Sequence, residues 1–114
     1  MTNRKRQQPR YTVYVIELQA AVLTLGKFAD ANPGYVYDAA RPPLYVGMTA
    51  HSPDKRFDQH RNGYKASRYT RGNAIRLRMD LVGELVFSTR EEAERMEELH
   101  AVRLRRRGFA VWQN

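Results

Sequence analysis

Apolar residues fall along this chain in blocks of two kinds, one dense in β-branched and aromatic types and one spaced at the helical period. The densest block, Tyr11 to Leu18, shows little polar alternation and predicts a strand covered on both faces. Leu44 to Met48 predicts a second strand, cut short by Gly47. Ser52-Pro53-Asp54 is a helix start: a hydroxyl cap, a proline in the first helical position and an acid in the first turn. That helix is expected to run to Asn62 and stop at Gly63. The irregular alternation from Leu77 to Phe87 predicts a third strand around Leu85 to Phe87. Ser88 and Thr89 stand at capping-box spacing from Glu91 and Glu92, so a long helix is expected from there to about Arg107, ended by Gly108. Phe109 to Trp112 is a short apolar tail expected to pack back on the core.

The segments between are polar or mixed. Residues 1–10 read as a flexible basic arm. Ala20 to Ala31 predicts a short helix weakened by Gly26, Asn32-Pro33-Gly34 predicts a turn, and Arg41-Pro42-Pro43 predicts extended chain. Residues 64–74 predict a loop with a short helical piece. The result is one α+β domain over 11–114, without internal repeats or a dividing linker.

Charge narrows the partner. The formal net charge is +8, with Arg4-Lys5-Arg6 and Arg10 near one end and Arg103 with Arg105-Arg106-Arg107 near the other. A polyanion is the natural partner of such a surface, although a basic surface without a specific ligand has the same composition. No apolar run is long enough to span a membrane, so no membrane partner is expected. Cysteine is absent, which excludes a thiol nucleophile and thiolate metal ligands. Any metal would be held by oxygen or imidazole.

Three sets of residues carry candidate chemistry. At about 100° per residue, Ala93, Met96, His100 and Leu104 form one stripe of the last helix, with Glu97 in its middle. A carboxylate there is costly unless it reaches solvent or pairs with an arginine or a divalent cation. Arg56 and His60 are four residues apart and share a helix face. Together they suit a clamped phosphate, or equally a solvated helix face. Tyr14 and Tyr45 lie in the two apolar strands, and each hydroxyl needs a polar partner if buried.

In order along the chain, these segments resemble the GIY-YIG nuclease superfamily. The first motif is similar to Thr12-Val13-Tyr14, with Thr12 where glycine is usual, and the second to Tyr45-Val46-Gly47. Lys55 to Gly63 resembles the family's arginine helix, and Glu92 to Glu97 its late helix with a metal-binding glutamate. Asn114 stands where a terminal asparagine is common. Tyr14 and Tyr45 are 31 positions apart, wider than the family pattern, so residues 19–43 read as an insertion.

The resemblance implies a small three-stranded antiparallel sheet flanked by helices. It implies an endonuclease that hydrolyses DNA phosphodiesters with one Mg²⁺ or Mn²⁺, held by Glu97 alone among protein side chains. It makes Tyr14, Tyr45, Arg56, His60, Glu97 and Asn114 the catalytic set, with Arg56 on the scissile phosphate. The general base is left open among Tyr14, Tyr45 and His60, with Tyr14 favoured. Arg4, Lys5, Arg6, Lys65, Ser67, Arg68 and Arg71 are candidate DNA-backbone contacts. The expected setting is cytoplasmic and DNA-associated, with a homodimer or a partner protein supplying targeting. The alternatives are a non-cleaving nucleic-acid-binding module on the same scaffold and an adaptor whose basic surface meets another protein.

Overall fold

A computed structural model describes residues 10–83 and 85–114. The basic arm, with Arg4, Lys5 and Arg6, lies outside these residues. Five strands form one sheet: β1 (Tyr11–Leu18), β2 (Leu44–Thr49), β3 (Ala74–Leu77), β4 (Val86–Phe87) and β5 (Val111–Gln113). Three α-helices accompany them: α1 (Gly26–Asp30), α2 (Pro53–Arg61) and α3 (Arg90–Arg106). No helix among the described residues is long and apolar enough to cross a membrane.

The class is α+β, but the expected three-stranded antiparallel sheet is wrong. The sheet is mixed, in the order β3-β1-β2-β5, with β4 also paired to β1. Two local causes produce the difference. The single third strand expected near residues 85–87 is two short strands on one edge of β1. β3 pairs with Ile16 to Leu18 and β4 with Tyr11 and Thr12, and a 3-10 turn at Met79–Leu81 separates them. The tail after α3 does more than pack on the core. Gly108 takes φ +97° and reverses the chain, and Val111 to Gln113 then add to β2 as a parallel strand. The parallel sense follows from α3 acting as the crossover.

β1 is buried on both faces, as its composition predicts. Val13 and Val15 point to one core with Leu44, Val46, Val111 and the Ala101 and Leu104 side chains of α3. Tyr14, Ile16 and Leu18 point to the other, with Val22, Phe28, Tyr45 and Tyr69, and Phe57 of α2 packs against it. The domain thus has α3 on one face of the sheet and α2 with residues 19–43 on the other.

Both long helices start where their caps require. Ser52 Oγ accepts from Lys55 N at 3.1 Å. Thr89 and Glu92 form the reciprocal capping box of α3. Gly47 does not end β2. It lies inside the strand opposite Tyr14, and a Cβ on it would meet Tyr14 Oη at 2.7 Å and Cζ at 2.8 Å. Its missing side chain is the space that the phenol occupies.

The helix expected over Ala20–Ala31 is broken. A 3-10 turn spans Ala20–Thr24 and α1 follows after Leu25, which keeps an extended backbone. Both pieces bury an apolar anchor, Val22 and Phe28. The segment is then tied to the sheet by Asn32. Its Nδ2 donates to Phe28 O at 2.9 Å and Val111 O at 3.0 Å. Its Oδ1 accepts from Val111 N at 2.7 Å and Arg105 Nε at 3.1 Å. The side-chain amide thereby stands in for a neighbouring strand at Val111. Asn32→Ala would strand the Val111 N–H in the interior. Denaturant unfolding is expected to show a loss of about 2–4 kcal/mol, whereas a loss below about 0.5 kcal/mol would mean that the amide is no anchor.

Candidate active site

The pairing of β1 with β2 sets Tyr14 opposite Gly47, and Tyr45 is two residues before Gly47 on the same face. The two rings lie 6.3 Å apart at 41°. α2 crosses above them. Its periodicity puts Phe57 into the core and turns His60 onto both rings, 5.8 Å from Tyr14 and 5.1 Å from Tyr45 between centroids. Tyr14 Oη is 2.7 Å from His60 Nε2, and His60 Nδ1 is 2.8 Å from Thr70 Oγ1. Neither His60 nor Thr70 has any exposed surface.

Arg56, one turn before His60, is held by the chain that follows its own helix. Its Nη1 donates to Gln59 Oε1 at 3.0 Å and Tyr64 O at 3.2 Å. Its Nη2 donates to Lys65 O at 2.9 Å, with Lys65 in a left-handed conformation (φ 47°). Three of the five guanidinium N–H groups are thereby engaged, and two remain for a ligand. The planar fork is fixed before anything binds.

Burial dominates the electrostatics of this cluster. It pushes the Tyr14 phenol up to about 12 against the attraction of Arg56, which works the other way. It raises Tyr45 further, with help from the neighbouring Tyr14 and Glu97 charges. It lowers His60 to about 4, and Arg56 adds to that shift. At neutral pH both phenols and the imidazole are uncharged, and Arg56 is the fixed charge beside them.

Glu97 enters from the other side. It lies on the buried stripe of α3, only 3% exposed, as its place in the helix predicts. Gln113 Nε2 donates to its Oε1 at 3.2 Å. Among the described residues the one sealed side-chain polar atom without a partner is His100 Nε2, so the other Glu97 oxygen opens outward. It faces a groove of about 430 Å³ that Glu97 shares with Met48, Gln113, Asn114, the acids Glu91, Glu94 and Glu98, and the cations Arg90 and Arg95. Burial lifts the Glu97 carboxyl to about 7, and the nearby Glu94 charge adds to the rise.

The predicted residues therefore divide. Tyr14, Tyr45, Arg56 and His60 form one cluster on the α2 face. Glu97 and Asn114 line the adjoining groove on the α3 side, which includes neither tyrosine nor Arg56. The two halves meet at the sheet margin, where Gly47 precedes Met48 and Asn114 N donates to Val46 O at 3.0 Å. The Glu97 charge still reaches both phenols across that margin. Among the described residues no group of three or more carboxylate and imidazole side chains gathers to hold a metal. A single buried carboxylate such as Glu97 fits Mg²⁺ or Mn²⁺ that keeps most of its water, although Arg90 and Arg95 also line the groove. A larger cavity of about 510 Å³ lies between residues 31–41 and the end of α3, and it holds none of the predicted site residues.

No protein-family model, curated protein or solved structure matches this chain. The residues themselves carry the reading. Lys65, Arg68 and Arg71 are exposed on the turns after α2, beside the carbonyls that hold Arg56. Ser67, expected as a DNA contact, also builds that turn. Its Oγ accepts from Tyr69 N at 3.0 Å and Thr70 N at 3.2 Å. Three residues that touch the candidate groups were not legible as such: Gln59, Thr70 and Gln113. Gln59 sits at helical spacing from Arg56, a usable signal. Thr70 and Gln113 come from loop and strand ends, whose partners depend on tertiary contact.

A carboxyl lifted toward neutrality opposes folding once it ionises. Folded Glu97 keeps its proton up to about 7, whereas the unfolded chain loses it near the ordinary carboxylate value. Stability attributable to this group therefore falls as pH rises through that window. In metal-free buffer, Glu97→Gln is expected to stabilise the protein by about 1–3 kcal/mol at pH 8 and by almost nothing at pH 4. Equal effects at both pH values in thermal unfolding would show that the carboxyl is not penalised by burial.

Proposed function

We propose that this protein is a divalent-metal-dependent DNA endonuclease with a GIY-YIG-like site. The observation that carries the reading is a pre-oriented guanidinium fork beside two buried phenols, with the Glu97 carboxylate in the adjoining groove near enough for its charge to act on both phenols. Arg56 would hold the scissile phosphate with its two unengaged N–H groups and offset negative charge as the phosphorus becomes five-coordinate. Glu97 would hold Mg²⁺ or Mn²⁺, and the bound ion supplies Lewis-acid stabilisation of phosphoryl and leaving oxygens. Lys65, Arg68 and Arg71 supply charge along the backbone path, without reading sequence. A cytoplasmic, DNA-bound protein is the setting this reading implies. A second copy or a partner protein would supply targeting.

Burial and contact narrow the choice of base. His60 has no exposed surface and both ring nitrogens are engaged, so it does not reach water itself. Tyr14 is the phenol that Arg56 pulls down most directly and the one bonded to His60. On this reading Tyr14 would take the water proton while its own proton passes to the imidazole bonded to it.

One observation favours a second reading. The groove beside Glu97 does not include Arg56, and both phenols are held neutral. A non-cleaving nucleic-acid-binding module would look the same without DNA.

Supercoiled plasmid incubated with Mg²⁺ or Mn²⁺ separates the readings. The wild-type protein is expected to nick or linearise it. Glu97→Ala should abolish cleavage while leaving the mobility shift on DNA intact, and Arg56→Ala should slow cleavage by about 100-fold or more. Binding without cutting by the wild type would favour the non-cleaving module, and loss of both would favour an adaptor. Cutting by Glu97→Ala at the wild-type rate would remove Glu97 from the mechanism.

A further inference from the structure

Two placements of hydrogens satisfy the chain from Tyr14 through His60 to Thr70, and the contact of the Thr70 hydroxyl with the Ser67 carbonyl favours one of them. Thr70 Oγ1 donates its single hydrogen to the Ser67 carbonyl at 3.1 Å. The hydroxyl oxygen therefore presents a lone pair to His60 Nδ1, 2.8 Å away. Two facing lone pairs at that distance would repel, so Nδ1 carries the ring hydrogen. In a neutral imidazole the other nitrogen is then bare. That nitrogen, Nε2, lies 2.7 Å from Tyr14 Oη, and the phenol donates to it.

We infer that Thr70 is a positioning residue for the proton acceptor of this site: it locks His60 in the Nδ1–H form and so aims a bare Nε2 at Tyr14. The inference rests on the endonuclease reading for its chemical consequence. As a water O–H bond breaks and its proton joins the Tyr14 oxygen, the phenol's own proton crosses to His60 Nε2. The water oxygen bonds to phosphorus, the P–O3′ bond breaks, and the departing oxygen takes a proton from solvent. His60 holds the proton as a transient imidazolium, a form that burial and Arg56 disfavour, while still donating through Nδ1 to Thr70. The opposite tautomer would point an N–H at the phenol and could not take the phenol's proton at Nε2.

The surroundings favour a lock over a turn-stabilising hydroxyl. Thr70 is fully buried, so no water competes for Nδ1. The Ser67 carbonyl also accepts from Thr70 N at 3.2 Å and Arg71 N at 3.0 Å, so the turn does not depend on the hydroxyl. What the hydroxyl alone supplies is an acceptor for the imidazole.

The tautomer is read without any activity assay. The full chain, labelled with ¹⁵N and free of DNA, is examined at neutral pH by two-bond ¹H–¹⁵N correlations of its three histidines, with His60 assigned by its loss in His60→Gln. The wild type is expected to show protonated Nδ1 and bare Nε2 at His60. Thr70→Val is expected to populate the Nε2–H form and to slow Mg²⁺-dependent nicking by about 10- to 100-fold. Thr70→Ser should keep the wild-type tautomer and most of the rate. Finding Nε2–H in the wild type would overturn the inference, and this holds even if Thr70→Val does not fold. A Thr70→Val protein that loses activity with its His60 tautomer unchanged would overturn it too, by making the role purely structural. If the wild type nicks with no metal offered, or never nicks, the nuclease reading and the proton path fall together, while the spectrum still decides the lock.

Discussion

One hydrogen bond, between the Tyr14 phenol and His60 Nε2, joins the sheet to the helix that carries Arg56. Much of the site follows from it. The phenol reaches His60 only because Gly47 leaves room beneath it. The imidazole is sealed only because Thr70 closes its far side. With His60 pinned, α2 has one rotation over the sheet, and that rotation sets the guanidinium of Arg56 among the carbonyls of Tyr64 and Lys65. Buried polar chains of this kind are stable only when every member is satisfied, and they then specify one arrangement.

The charges at this margin are incomplete without a ligand. Arg56 has two N–H groups beyond its three bonds to Gln59, Tyr64 and Lys65, and burial works against the ionised forms of Tyr14, Tyr45 and Glu97. A phosphate answers the first group and a divalent cation the second. Among the described residues, Gln113 is the donor that meets the Glu97 carboxylate.

The parts legible in the sequence were those governed by local rules. The β1 run, the Ser52 cap, the Thr89 capping box and the central place of Glu97 on its helix stripe depend on neighbours a few residues away, and all appear as expected. Non-local pairing was read less well. The split of the third strand depends on where Met79 to Leu81 can turn, and the parallel β5 depends on the length of α3. Gly47 looked like a strand end because glycine usually weakens a strand, but its role is set by a phenol from another strand. Asn32 looked like a turn residue and is also the edge partner of Val111. In the site, the residue types and spacings pointed to Tyr14, Tyr45, Arg56, His60 and Glu97. Their division between two faces of the sheet is a tertiary fact, and no periodicity along one helix contains it.

The account stands on a metal at Glu97 lying close enough to the phenols and the guanidinium to share one phosphate with them. Paramagnetic relaxation by Mn²⁺, measured on the side-chain resonances of the folded protein with a short DNA duplex bound, reads that proximity directly. The account predicts that trace Mn²⁺ broadens the Tyr14 and Tyr45 ring signals and the Arg56 Nε–H signal, and that Glu97→Ala removes the effect. Broadening confined to the outer acids of α3, with the tyrosines and Arg56 untouched, would contradict it.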